Sequence, residues 1–250
     1  LQQLHALGKP MVGVVMAGRP LTLSPVLPYL DALLYAWHPG TMAGPAIADL
    51  LSGRQAPSGK LPVSFPRMVG QIPIYYNQRR SGRPATPETA ASIEDIPVRA
   101  FQTTTGNTTY HLDAGYTPLF PFGFGLTYTS FTYRQLALSN ESFSGEESLQ
   151  VSVRVTNTGK RGATEIVQLY LQDEVSSAAR PIRELKRFQR IFLEPGEEKK
   201  VVFTLSPEDL AFFNRYETWT AEAGRFSLWI GGDSTAELHT SFHYNPKTHG

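Results

Sequence analysis

Apolar and polar side chains alternate through LQVSVRVT, residues 149–156, and the turn signal NTG follows at 157–159. Successive side chains of a β-strand point to opposite faces, so this alternation predicts a strand with one buried and one wet face. The same period recurs near residues 167–171, 188–193, 201–205, 226–230 and 238–242. About seven such short strands, bounded by Gly, Pro or Asn, predict an antiparallel β-sandwich of the immunoglobulin or fibronectin type III kind.

The first part of the chain follows a different pattern. Its apolar runs lack polar alternation, which is typical of strands covered on both faces in a parallel sheet. The predicted elements are a helix over 1–7, strands at 11–17 and 32–37, a short helix between them over 25–30, a helix from the N-cap Thr41 to about Leu51, and a strand at 61–65. Because so few parallel strands cannot cover their own faces, we expect residues 1–76 to be the C-terminal half of a larger α/β domain.

The segment between these two parts has neither period. Residues 77–118 are rich in Ser, Thr, Pro, Gly and Arg, which predicts a linker and loop. The sequence thus predicts three parts: an incomplete α/β domain (1–76), a linker (77–118) and a β-sandwich (119–250). Arg79, Arg80 and Arg83 could hold an anion or a sugar, and a solvated linker is the alternative.

Composition excludes several classes of function. The 250 residues contain 23 Lys and Arg against 22 Asp and Glu, so no strong positive field exists to gather nucleic acid. Cys is absent, which removes disulfides, thiolate nucleophiles and Cys-ligated zinc. No apolar run is long enough to cross a bilayer. We therefore expect no nucleic-acid partner and no membrane partner.

Motifs for catalysis are also missing. There is no G-x-S-x-G nucleophile elbow, no residue spacing typical of a metal site, and no pair of acids in a context that would hold them about 5–5.5 Å apart. The sequence predicts no catalytic residue, no cofactor and no metal. Trp37 ends a predicted strand and His38 follows it, where α/β sheets place their ligand crevice, so the two form a candidate site. The alternative is a turn packed under a helix.

Several segments resemble, in order along the whole chain, the C-terminal part of glycoside hydrolase family 3, in particular its bacterial periplasmic β-glucosidases. They are GKP (8–10), GRP (18–20), AWHPG (36–40), GPAIADLLSG (44–53), PSGKLPVSFP (57–66), QIPIYY (71–76), PLFPFGFGLTYT (118–129) and VTNTGKR (155–161). The resemblance implies a (β/α)8 barrel, an α/β sandwich and a fibronectin type III-like domain, with hydrolysis of β-glucosides or oligosaccharides by double displacement.

The resemblance places the reacting acids outside this chain. The family's nucleophile is an Asp of the barrel, and its acid/base in this branch is a Glu that precedes the GKP segment. The missing N-terminal barrel would then be the chain's partner, and the chain alone would be inactive. The family also implies a periplasmic or secreted location.

The family's α/β sandwich closes over the barrel mouth, so loops of this half could contact the sugar. The family often has Tyr, one residue and Asp before the segment at 118, where this chain has His111 and Asp113. We therefore take His111, Asp113, Trp37 and His38 as substrate-binding candidates; Asp113 bonding backbone in a turn is the alternative. A second function is also open, a non-catalytic carbohydrate-binding or adhesion module that uses exposed Tyr133, Trp219 and Trp229.

Overall fold

The computed structural model describes residues 1–80, 82–101, 108–145 and 147–246. The chain forms two compact units, and it passes between them several times. The first unit contains 1–55, 63–75 and 81–121, and the second contains 56–62, 76–80 and 122–250. No helix in the described ranges combines the length and the apolar character that crossing a bilayer requires. The three-part division predicted above stays a prediction.

The first unit has the parallel strand pair expected of an α/β domain. Its helices and strands are α1 (Gln2–His5), β1 (Val12–Val15), β2 (Ala32–Tyr35) and α2 (Ala43–Leu51), with 3₁₀ turns at Leu27–Tyr29, Val69–Gln71 and Ile93–Asp95. Strands β1 and β2 run parallel, with Val12 opposite Ala32 and Val15 opposite Tyr35. Parallel neighbours need a crossover, and residues 16–31 supply it.

Two local predictions for this unit were wrong. Residues 61–65 do not form a third strand; Phe65 makes a single antiparallel bridge to Phe120 instead. Leu61 bonds the backbone of residues 123 and 124, and Pro62 has no N–H with which to continue a ladder towards Phe65. The residue preceding α2 is Met42, without a side-chain cap, rather than Thr41.

The second unit is the predicted β-sandwich. Its elements are β3 (Phe131–Leu138), β4 (Ser142–Ser144), β5 (Leu149–Asn157), β6 (Ala163–Asp173), β7 (Glu184–Leu193), β8 (Glu198–Leu205), α3 (Pro207–Leu210), β9 (Phe212–Phe213), β10 (Trp219–Thr220), β11 (Gly224–Gly231) and β12 (His239–Asn245). In the described part of the chain, one sheet has the order β4-β12-β11-β6-β7 and the other β3-β5-β8. Strands β9 and β10 form a separate ribbon.

The core lies between the two sheets and follows the alternation seen in the sequence. The apolar residues of β5 are fully buried, and they pack with buried residues of β6, β8, β11 and β12. The rings of Phe226 and Phe242 stack across adjacent strands at 5.5 Å. Each fully buried Val, Leu or Phe side chain stabilises the fold by about 1.5–3 kcal/mol.

Candidate functional site

Trp37 lies just beyond the carboxyl end of β2, in a backbone conformation that residues other than glycine rarely adopt. Its φ angle is +52°, and Gly40 follows at +72°. The indole is half-buried, with its ring centroid 4.8 Å from Tyr35 and 5.9 Å from Phe65, both in edge geometry. Non-glycine residues persist in this region only where the surroundings hold them, and these aromatic contacts do so here.

The neighbouring His38 is exposed and rests against the turn that follows β1. A Cβ atom at Gly18 would clash with the His38 imidazole in its present position, so the absence of a side chain there allows this close approach. The Tyr35 hydroxyl donates a 2.5 Å hydrogen bond to the carbonyl of Arg19. Burial raises the pKa of Tyr35 above its ordinary value, so the hydroxyl remains a donor. The turns after β1 and β2 thus meet where open α/β sheets bind ligands.

His111 and Asp113 lie on a tight turn of the same unit. The Gly115 N–H donates to the His111 carbonyl at 2.7 Å, and the Ile93 N–H donates to the Leu112 carbonyl at 3.0 Å. Both candidate side chains are exposed. Within the described ranges, no backbone group bonds the Asp113 carboxylate, and these main-chain contacts within the turn leave its side chain unengaged.

Gln71 anchors this turn, and sequence reasoning did not single it out. Its side chain is 2% exposed, and its Nε2 donates to the carbonyls of Ala114, Gly115 and Thr117 at 3.5, 3.3 and 3.0 Å. Its Oε1 accepts from the Arg67 N–H at 2.8 Å. The available signal was a polar residue at the head of the apolar segment QIPIYY. Gln71 therefore positions the segment that carries Asp113.

A short backbone pairing joins Phe65 to residues 119 and 120, which follow Asp113 in the sequence. Leu119 N–H donates to the Phe65 carbonyl at 2.8 Å, and Phe65 N–H donates to the Phe120 carbonyl at 2.9 Å. Phe65 also contacts Trp37. Among the residues that the structure describes, no hydrogen bond or ring contact joins the Trp37–His38 pair directly to the His111–Asp113 pair.

The four candidate positions carry side chains that are suited to binding a polar ligand. The four candidates offer an indole ring, two imidazoles and a carboxylate, which can stack against a sugar and hydrogen-bond its hydroxyls. In the described part of the chain, no group of three or more His, Asp or Glu side chains is placed to hold a metal ion.

The aromatic side chains proposed for the module differ in exposure. Tyr133 packs against the core, and its hydroxyl donates to Glu165 at 3.0 Å. Trp229 is half-buried beneath the Arg183 guanidinium, which lies 4.3 Å from the ring centroid. The expectation that these two rings are exposed was therefore wrong. Trp219 is 66% exposed, as expected.

Comparison with known proteins gives a consistent relationship along the chain. Residues 1–128 match the glycosyl hydrolase family 3 C-terminal domain, and residues 165–234 match a fibronectin type III-like domain. The chain is 44% identical over 239 residues to a periplasmic β-glucosidase of Salmonella typhimurium, covering 96% of this chain and 29% of that protein. It is 38% identical over 237 residues to a β-xylosidase of Formosa agariphila, covering 95% of this chain and 30% of that protein.

Solved structures agree with the sequence relatives. A β-glucosidase from Listeria innocua, crystallised in complex with glucose, superimposes with a TM-score of 0.87 at 37% identity. That match covers 98% of this chain and 32% of the Listeria chain. The chain thus spans about three tenths of the length of the relatives it matches. The match over its first 128 residues shows that the chain belongs to the glycosyl hydrolase family 3 C-terminal domain family.

Proposed function

We propose that this chain is the C-terminal part of a retaining β-glucosidase that removes terminal β-D-glucosyl residues from oligosaccharides. The observation that carries the proposal is the 44% identity to a β-glucosidase over 96% of the chain. In this proposal an N-terminal barrel supplies the Asp nucleophile and the acid/base Glu also precedes residue 1. The chain supports the barrel and closes the sugar pocket, and it is inactive alone.

Four side chains are the proposed sugar contacts: Trp37, His38, His111 and Asp113. Two features support them. The first pair lies at the carboxyl end of a parallel strand, and the second is exposed on a turn that the buried Gln71 holds. Hydroxyl groups of a glucosyl unit are suitable partners for an imidazole and a carboxylate. We propose that these residues bind substrate and take no part in proton transfer.

A comparison of two proteins tests the division of labour. The 250-residue chain and a longer protein that adds the barrel are each mixed with a chromogenic β-glucoside. Release of the chromophore by the longer protein alone is the expected result. Hydrolysis by the 250-residue chain, or its absence from the longer protein, would contradict the proposal.

The sugar contacts are tested in the longer protein. His38→Ala and Asp113→Ala should each raise KM by roughly tenfold with little change in kcat, because they remove binding shared by the ground state and the transition state. Asp95→Ala is the matched control, since Asp95 is an exposed acid of the same unit. Unchanged KM in both variants, or an equal rise in the control, would refute these contacts.

Location is part of the proposal as well. A relative 44% identical to this chain is a periplasmic β-glucosidase, which supports a periplasmic or secreted protein. Fractionation of cells that express the complete gene product, with detection by an antibody against this chain, tests this assignment.

A further inference from the structure

The ribbon of β9 and β10 carries an exposed aromatic surface outside both sheets. Trp219 lies directly opposite Phe213 in the antiparallel register, and Tyr216 lies in the turn between them. Phe213, Tyr216 and Trp219 are 60%, 67% and 66% exposed. Directly opposed residues of two strands project from the same side with Cβ atoms about 4.5–5.5 Å apart. The rings of Phe213 and Trp219 therefore share one face of the ribbon.

Internal hydrogen bonds hold the ribbon in shape. The Asn214 side-chain oxygen accepts from the N–H groups of Tyr216 and Thr218 at 2.9 and 3.1 Å, and the Asn214 N–H donates to the Thr218 carbonyl at 3.0 Å. At its base, Phe212 is buried beneath the Arg180 guanidinium, 4.5 Å from the ring centroid. Because the turn and the base are both fixed, a ligand would bind without ordering this segment first.

The surface is comparable in size to the largest apolar patch of a typical monomer. At these exposed fractions, the three residues present roughly 300–500 Å² to solvent. The largest apolar patch on a typical monomer is about 300–600 Å² and is often functional. The sandwich core does not need these rings, since the alternation along β9 places Phe212 inward and Phe213 outward.

The polar groups around the rings favour a neutral, hydroxyl-rich ligand. Over residues 213–220 the charged residues are Arg215 and Glu217, which leave no net charge to attract a polyanion. Arg215 lies 4.7 Å from the Tyr216 ring centroid and donates to its hydroxyl at 2.5 Å. Sugar rings present C–H faces that stack on aromatic rings and hydroxyls that bond polar groups at the edges.

We propose that Phe213, Tyr216 and Trp219 form a binding surface for a neutral β-glucan chain. The choice of a glucan among neutral polymers rests on the proposed function. The surface itself rests on the ribbon geometry, so it can be tested without measuring hydrolysis.

Affinity electrophoresis of the 250-residue chain through gels that contain soluble β-1,3-glucan tests the surface directly. The glucan should retard the wild-type chain, and Trp219→Ala should weaken the apparent affinity at least tenfold. Phe188→Ala is the matched control, because Phe188 on β7 is also 66% exposed. It should migrate like the wild type. No retardation of the wild type, equal retardation of the Trp219 variant, or equal loss in the control would overturn the proposal.

Two further measurements keep the test decisive. Circular dichroism verifies that each variant is folded, and Phe213→Ala replaces Trp219→Ala should the latter be unfolded. Retardation by xylan with none by the glucan would overturn the ligand class. Failure of the longer protein to hydrolyse a β-glucoside would refute the proposed function, whereas glucan retardation of the chain would still support this surface.

Discussion

Replacement of Lys60 by Met should destabilise the second unit, because it removes one partner of a buried ion pair. The Lys60 ammonium lies 3.1 Å from Glu165 Oε1, and the two side chains are 16% and 5% exposed. Lys60 also donates to the Gly125 carbonyl at 3.0 Å. Glu165 accepts in addition from the Tyr133 hydroxyl. Among the described residues, the buried carboxylate would keep the neutral Tyr133 hydroxyl as its donor after the substitution.

The expected loss follows from the asymmetry of buried pairs. Removing one partner leaves an uncompensated charge and typically costs 3–5 kcal/mol; we expect about 3 kcal/mol because the Lys60 side chain retains some exposure. Glu165→Gln should cost less, about 1–2 kcal/mol, since the lysine can reach water and the amide oxygen still accepts from Tyr133. The double variant should be more stable than Lys60→Met alone, because no charge is left unpaired.

Urea unfolding, monitored by circular dichroism, gives the free energy of unfolding of the wild type, the two single variants and the double variant. These four values close a double-mutant cycle. Lys199→Met is the matched control, because Lys199 pairs with Glu197 at 3.2 Å and its side chain is 45% exposed. This substitution should lower the free energy of unfolding by less than about 1 kcal/mol. A loss below about 1 kcal/mol for Lys60→Met, or a coupling free energy near zero between Lys60 and Glu165, would refute this reasoning.

Three further predictions concern a titrating acid, a packed glycine and a buried amide. Burial raises the pKa of Asp173 from 3.8 to about 6. The folded state therefore binds the Asp173 proton more tightly than the unfolded state does. The stabilisation that results is complete below about pH 4 and disappears as pH rises through about 6. Relative to Asp173→Asn, the free energy of unfolding of the wild type, measured in urea, should fall by about 2 kcal/mol between pH 4 and 7. Gly18→Ala should cost at most about 1 kcal/mol, because the exposed His38 ring must turn away from the new Cβ, whereas Gly44→Ala, whose Cβ meets open space in α2, should stabilise slightly; equal thermal shifts would contradict this. Gln71→Ala removes the amide that donates to the carbonyls of Ala114, Gly115 and Thr117, of which Thr117 keeps the Arg67 Nε donor at 3.1 Å, and it should cost about 2 kcal/mol, with faster amide exchange along this turn; unchanged exchange there would count against an anchoring role.

The sandwich could be predicted from the sequence because its strands carry local information. A period of two over eight residues is visible without any partner, and β5 buries its apolar residues as that period requires. The segment 61–65 was misread because an apolar run does not reveal whether its backbone pairs with a sheet. Phe65 pairs with Phe120, which is far along the chain and has no local signature.

The candidate site residues could be predicted in part for the same reason. Trp37 and His38 could be predicted to lie at the end of a strand, which is a local property, although the structure ends that strand at Tyr35. The anchoring role of Gln71 depends on contacts more than forty positions away, and the pairing of Lys60 with Glu165 spans over a hundred. Tertiary packing likewise decides why Trp219 is exposed and Tyr133 is packed against the core. The residues next to the three aromatic candidates in the sequence do not distinguish these outcomes.

The path of the chain bears on where the sandwich begins. Residues 56–62 and 76–80 belong to the second unit although residues 63–75 between them belong to the first. Lys60 supplies the buried ion pair, and the Tyr76 ring stacks on Phe122 at 4.1 Å while its hydroxyl accepts from the Leu185 N–H. A chain that starts at residue 119 would lack both side chains. The second unit is therefore completed by residues that a linear boundary assigns elsewhere, and its stability depends on them.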